Sequence, residues 1–347
     1  MSRRTPALIA AAVLLPLALT ACSASDADNG SADSAKAGGP SAKGFPYTVT
    51  NCGVTTTYTA PPKRAVTMNQ HVTEVMLELG LAKSMVGTAY LDDRVLPEYE
   101  DQYESIPVLA EEYPSYEKLL AADPDFVYGG YSTAFTASDG RSREALKKSG
   151  IDTRLNTEYC AKSPTAMDAL YQEVREVGRT FGVASRAESW IEEAKATNAA
   201  AAERLKSARP VSVFVYDSGD KTAFTAGGRG IGNELITRAG GRNVFADLDK
   251  PFGDASWENV VARKPDVIVI YDYGSTTVAQ KKKRLLEDPA LADVPAIRNK
   301  RFAVLPLSDA VLGVRAPAAV GKLAAQLHPE IPGDSPTEEA TDAATAS

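Results

Sequence analysis

Few side chains in this 347-residue chain can do covalent or metal chemistry. It holds two histidines, His71 and His328, and three cysteines, Cys22, Cys52 and Cys160. A neutral imidazole at His71 can bind haem iron or another metal; the other reading is an exposed polar residue ahead of a helix. A bare zinc or manganese site would gather several histidines and carboxylates, so no protein-held metal is expected. Ser115-Tyr116-Glu117-Lys118 fits S-x-x-K, while Ser138-Asp139-Gly140 and Lys221-Thr222-Ala223 approximate S-D-N and K-T-G, which would suggest an exported serine hydrolase of the penicillin-binding type. The first two elements lie too close together for that fold, and Ser115 reads better as a helix N-cap. Gly228-Arg229-Gly230-Ile231-Gly232 lacks the G-x-G-x-x-G spacing of a dinucleotide loop. Its glycines point to a tight turn and a close approach of backbone to ligand. Tyrosine suits capture without chemistry, because its ring stacks on a flat chelate or macrocycle while its hydroxyl hydrogen-bonds or ligates.

The chain opens with Arg3 and Arg4, an apolar run from Ala7 to Leu19 too short to cross a bilayer comfortably, and the small residue Ala21, the pattern of an export signal over residues 1–21. Leu19-Thr20-Ala21-Cys22 is similar to a bacterial lipobox, which implies acylation of Cys22 and a membrane anchor. Residues 22–43 carry almost nothing that can pack, so they read as a tether with a reach of about 25 Å. The tail 331–347 is expected to be disordered for the same reason. The net charge of −7 argues against a nucleic-acid partner. With Cys22 assigned to the anchor, Cys52 and Cys160 are left as an even pair in an oxidising compartment, and one disulfide is expected.

The body must position the remaining residues. Its "YTVTNCGVTTTY" reads as a strand hairpin bending near Asn51-Cys52-Gly53. Beyond Pro61-Pro62, short apolar strands alternate with helices, which indicates a parallel sheet wrapped by helices over residues 44–162. Ser163-Pro164 offers an N-cap with proline in the first turn of a helix running to about Phe181. Ser185 to Glu188 has the spacing of a capping box for a second helix of about six turns, stopped at Arg209-Pro210. The alternation then resumes over 210–330. The expected fold is α/β: two Rossmann-like lobes, each a mainly parallel sheet flanked by helices, joined by one long helix across the connecting segment 163–209.

The lobes share a phrase. "YEKLLAADPDFVYGGY" at 116–131 and "WENVVARKPDVIVIYDY" at 257–273 both run from an aromatic residue and Glu through a helical turn to Pro-Asp and a buried strand. With "RAVTMNQHVTEVMLELGLAKSMVGTAY" and "FTAGGRGIGNELITRAGGRNVF", the chain resembles the helical-backbone (class III) substrate-binding proteins of ABC importers that collect ferric siderophores, haem or cobalamin. The resemblance implies an extracytoplasmic, lipid-anchored monomer that is not an enzyme. It would bind a small metal chelate between its lobes, hold no cofactor of its own, and dock on membrane permease subunits through Glu117 and Glu258. Open α/β sheets bind ligands beside the loops that follow their strand ends. Those loops hold Asn69, Gln70, His71, Tyr90, Asp92 and Tyr131 in the first lobe. In the second they hold Thr225, Gly227, Arg229, Phe252, Tyr273 and Ser308. Cobalamin collectors carry tryptophans around the cleft, whereas this chain has only Trp190 in the linking helix and Trp257 beside Glu258. Basic residues suited to an anionic catecholate are sparse, with Arg229 the main one, so a neutral or weakly charged ferric hydroxamate fits best. The long helix should restrain hinge motion on loading.

Overall fold

Parallel strands covered on both faces require near-continuous apolar runs, and the sequence supplies two sets of them. The computed structural model describes residues 42–331; the export signal, Cys22, nearly all of the tether and the tail beyond Ile331 lie outside the described residues. A hairpin of β1 (Tyr47–Asn51) and β2 (Val54–Tyr58) comes first. The first lobe contains β3 (Ala65–Met68), β4 (Met85–Ala89), β5 (Val108–Ala110), β6 (Phe126–Gly129) and β7 (Asp152–Leu155), in the spatial order β5-β4-β3-β6-β7, all parallel. All four residues of β3 and of β6 are buried.

The second lobe contains β8 (Val211–Tyr216), β9 (Ala223–Ala226), β10 (Gly241–Asn243), β11 (Phe252–Ala255), β12 (Val267–Asp272) and β13 (Phe302–Pro306). Its parallel sheet runs β10-β8-β12-β13, while β9 and β11 form a separate antiparallel ribbon. No described helix is long and apolar enough to cross a membrane.

Between the sheets stand the helices Met167–Thr180, Ala184–Arg204 and Ala316–Leu327. The long middle helix of 21 residues buries Ala187, Ile191, Ala194, Asn198 and Ala201, a stripe at helical spacing made mostly of small side chains. Gly178 admits the close crossing: a Cβ there would stand 2.5 Å from that of Ala187. One apolar core runs from Val72, Met76 and Tyr128 in the first lobe through Leu170, Val174 and Ile191 to Val215, Val269 and Leu323 in the second. Each lobe also has a smaller core on its outer face.

Two helix starts differ from expectation. The first connecting helix begins at Met167 rather than after Ser163-Pro164, because the amide of Thr165 donates to the carbonyl of Arg229 in the other lobe at 2.8 Å and keeps that segment extended. The long helix begins at Ala184 with no side-chain cap. Ser185 lies inside it, and Glu188 pairs with Arg175 at 2.6 and 3.0 Å instead of reaching back to the helix start.

The hairpin bend is fixed to the first lobe. Cys52 and Gly53 both have positive φ, 50° and 80°, as a tight two-residue turn demands. Asn51 exchanges two hydrogen bonds of 2.9 Å with the backbone of Leu155. Cys52 is joined to Cys160 with a Cα–Cα separation of 5.3 Å, closing a loop with a sequence separation of 108. Replacing both cysteines by serine should lower stability by about 2–4 kcal/mol. Denaturant titration checks this, and equal midpoints for the two proteins would contradict it.

His71 is buried between the lobes, not exposed. Its ring fills the space that a Cβ at Gly130 would need, and its own Cβ lies 2.9 Å from the Cβ position of Gly313. Burial holds this imidazole at about 4, below its usual 6.5, against a backbone hydrogen bond with Gly130 that favours the charged form. Between those values the unfolded chain binds a proton that the folded chain refuses, so this contribution to stability is present above pH 6.5 and is lost as pH falls toward 4. His71→Gln should flatten the acid side of the stability curve. Identical slopes for wild type and variant from pH 7 to 4.5, by thermal unfolding, would contradict a buried neutral ring.

Candidate functional site

A cavity of about 380 Å³ opens where the strand ends of the two lobes face each other. The first lobe contributes Asp92, Tyr131 and Tyr159, with Ser132 and Thr133 at the rim. The second contributes Asp217, Phe224, Phe252 and Tyr273, with Pro251 and Leu307. Of the residues anticipated at the site, the structure brings Asp92, Tyr131, Phe252 and Tyr273 together here.

The rings are set by one another. Tyr131 meets Tyr159 edge-on at 5.5 Å, and Phe224 stacks on Phe252 at 6.0 Å with 13° between planes. The Tyr273 hydroxyl donates to Asp217 Oδ1 at 2.5 Å, and that of Tyr131 lies 3.5 Å from Asp92 Oδ2. Burial pushes the Asp92 carboxyl up to about 6; the Tyr131 hydroxyl works against this, and the negative charge of Asp217 across the cleft adds to it. Asp217 is also raised by burial, offset by Tyr273 and by the charge of Lys281. Burial raises the Tyr131 and Tyr159 phenols well above their usual range, so both are neutral donors at physiological pH.

Asn69, Gln70 and His71 follow the first strand as anticipated, but they support the cavity instead of lining it. The helix begins at Gln70, which turns all three side chains inward. Asn69, with φ +94°, accepts through Oδ1 from the amides of Gly130 and Tyr131 at 3.1 and 3.2 Å and from the Tyr113 hydroxyl at 3.1 Å. It thereby fixes the loop that carries Tyr131. Gln70 donates to the Arg94 carbonyl at 2.6 Å and accepts from the Asp93 amide at 2.8 Å, which fixes the loop carrying Asp92. The His71 ring packs beneath Tyr131 with centroids 5.0 Å apart. A haem-ligand role for His71 does not fit this burial.

Tyr90, at φ +59°, packs edge-on against Tyr113 at 4.7 Å and is not among the lining residues. Thr225 is enclosed in β9, and Ser308 is buried just behind Leu307. Gly227 approaches the chain's own backbone, not a ligand: its amide donates to Pro251, and a Cβ would strike the Lys250 carbonyl at 2.3 Å. Arg229 is likewise engaged, pairing with Asp249 at 3.0 Å and donating to the Ala161 carbonyl of the first lobe at 2.9 Å.

Tyr159, Asp217 and Phe224 were not anticipated. Asp217 directly follows β8, so the strand-end rule reaches it. Phe224 sits in a short strand with no apolar alternation, and Tyr159 lies beyond Leu155 in a single turn beside the disulfide.

Further polar ties cross beneath the cavity. Glu158 of the first lobe accepts from the Ile231 amide at 2.5 Å, at the start of the helix Ile231–Arg238. Burial raises its carboxyl to about 7, opposed by the amides of Ile231 and Leu312. Asn156 donates to the Leu312 carbonyl at 2.8 Å. Buried Arg315 makes a two-pronged pair with buried Glu74, one contact being 2.7 Å.

Glu117 and Glu258 occupy matching places, each the second residue of a helix, Tyr116–Ala121 and Trp257–Arg263, capped by Ser115 and Ser256. Both are exposed. Each carboxyl is held below its usual range, first by its own backbone amide and then by the capping serine. The Ser115 hydroxyl accepts from the Lys118 amide at 3.2 Å, so it serves as a cap and not as a nucleophile. Among the described residues no cluster of three or more His, Cys, Asp or Glu is arranged to hold a metal ion.

A family profile described as "Periplasmic binding protein" matches residues 66–308. A periplasmic binding protein of Veillonella parvula has a similar structure, with a TM-score of 0.75 and 30% identity over 82% of this chain and 97% of its own. An ABC-type Fe3+-hydroxamate transport protein of Saccharomonospora viridis shares the fold, with a TM-score of 0.69 and 24% identity over 81% of this chain and 99% of its own. The vitamin B12-binding protein of Vibrio campbellii is 25% identical over 60% of this chain and 70% of its own length. With two parallel sheets facing one cleft and a family match across both, the chain belongs to the periplasmic binding protein family, whose members bind solutes for transport and are not enzymes.

Proposed function

We propose that this chain captures a siderophore-type ferric chelate, of the hydroxamate class, in the cavity between Tyr131 and Tyr273 and delivers it to an ABC permease. The composition of the wall carries this reading: aromatic rings and two carboxylates line the cavity, and among the described residues no lysine or arginine does. Haem, with its propionates, and catecholate chelates are anionic and call for cations that this wall lacks. The volume of about 380 Å³ falls at the small end of ligand sites, roughly 300–1,000 Å³, which suits a compact chelate better than a corrin with its side arms. Neither tryptophan lines the cavity; Trp257 packs against Phe214 and Tyr216. In a hydroxamate complex the ligand's own charges balance the iron, so the iron centre can be held by tyrosine hydroxyls and stacking without a cation in the wall.

Delivery is assigned to Glu117 and Glu258, two exposed carboxylates at equivalent places on the two lobes. Charge pairs of this kind orient a partner and speed encounter. Acylation at Cys22 would keep the body beside the same membrane, within the roughly 25 Å reach of the tether.

Native mass spectrometry and absorbance of protein purified from its own host should reveal a ferric hydroxamate, by mass and by a ligand-to-iron absorption band. A bound haem or corrin would contradict the assignment. A Glu117→Ala/Glu258→Ala variant should bind the chelate as wild type does while cellular uptake falls several-fold; uptake at full rate would refute docking through these residues.

A further inference from the structure

Asp92 and Asp217 reach the cavity from opposite lobes and, among the described residues, are the only charged side chains that line it. Neither is neutralised at the cavity surface. Each engages a tyrosine hydroxyl, Tyr131 and Tyr273 respectively, which is a dipole and not a counter-charge. Lys281, whose charge acts on Asp217, stands behind the wall: its ammonium donates to the Tyr271 carbonyl at 2.5 Å and lies 4.7 Å from the Tyr273 ring centre. It offsets part of the charge of Asp217 and does not line the cavity. Arg229, the cation anticipated at the site, is paired with Asp249. The negative charge of Asp217 helps, after burial, to raise the Asp92 carboxyl across the gap, and a positive group placed between the two would favour their charged forms. Tyr131, Tyr159, Phe224 and Phe252 offer the aromatic surface on which a cation is further stabilised.

We propose that the cavity selects, among metal chelates, those bearing a positive charge such as a free ammonium arm, and that Asp92 and Asp217 are the specificity-determining residues. This rests on the chelate-capture reading and goes further: it names the charge of the cargo and the two side chains that read it. The same pair excludes anionic chelates, because like charges in a partly buried site are costly.

The test compares two probes that share one iron centre. These are the ferric complex of desferrioxamine B, a linear trihydroxamate ending in a primary amine, and the same complex after N-acetylation of that amine. A ferric tris-catecholate serves as the anionic probe. Calorimetry on the full folded chain should show the amine form binding at least about tenfold more tightly than the acetylated form, the advantage of one charge-assisted hydrogen bond. In Asp92→Asn/Asp217→Asn, with folding checked by thermal unfolding, that ratio should shrink to within about twofold.

Equal binding of both trihydroxamate complexes to wild type would overturn the charge selectivity while leaving chelate capture standing, and it needs no variant to be seen. A double variant that keeps the full ratio would overturn the role of the two aspartates. Preference for the tris-catecholate, or failure to bind either trihydroxamate, would overturn the inference, and the second result would remove the hydroxamate reading with it.

Discussion

The cleft exists because two sheets that share no hydrogen bond with each other are packed against the same helices. β3 to β7 and β8 to β13 pair only within their own lobes, yet a single apolar core passes between them through Met167–Thr180, Ala184–Arg204 and Ala316–Leu327. Opening the lobes widely would expose that core and would strip partners from buried groups at its edge. Glu74 and Arg315 pair across it, as do Asn156 with Leu312 and Glu158 with Ile231. Removing one member of a buried ion pair costs about 3–5 kcal/mol, so these ties resist separation in discrete steps. The result is a cavity largely formed before its guest arrives, which limits the ordering that binding requires.

Support and contact are divided between residues. The triplet Asn69-Gln70-His71 makes no wall, yet Asn69 fixes the Tyr131 loop, Gln70 fixes the Asp92 loop, and His71 fills the space under Tyr131. Recognition is left to side chains at loop tips on a rigid frame. Glu158 and His71 lie close to this frame but are spent on packing and on the Ile231 and Gly130 backbone.

Much of the frame was legible in the sequence, because strands buried on both faces leave unbroken apolar runs. β3, β6, β8 and β12 are runs of this kind, buried along all or most of their length. The ribbon β9–β11 and the edge strand β10 were not legible: they are three or four residues long and made of Ala, Gly and Phe mixed with polar residues, so they carry neither periodicity. The helix starts at Ser163 and Ser185 were misread because a backbone bond from Thr165 to Arg229 and the Arg175–Glu188 pair override local capping. At the site, the strand-end rule gives the depth of a residue along the chain but not the direction of its side chain. It therefore found Asp92, Tyr131 and Tyr273 on the wall and also named Asn69, Thr225 and Ser308, which face protein.

The most direct measurement is a crystal structure of the protein loaded with a ferric trihydroxamate. The expected result is the chelate seated among Tyr131, Tyr159, Phe252 and Tyr273, with Ala184–Arg204 unbent and the Glu74–Arg315 pair intact. A chelate bound outside this cavity, or reached only after the long helix kinks and the lobes part, would contradict a preformed site.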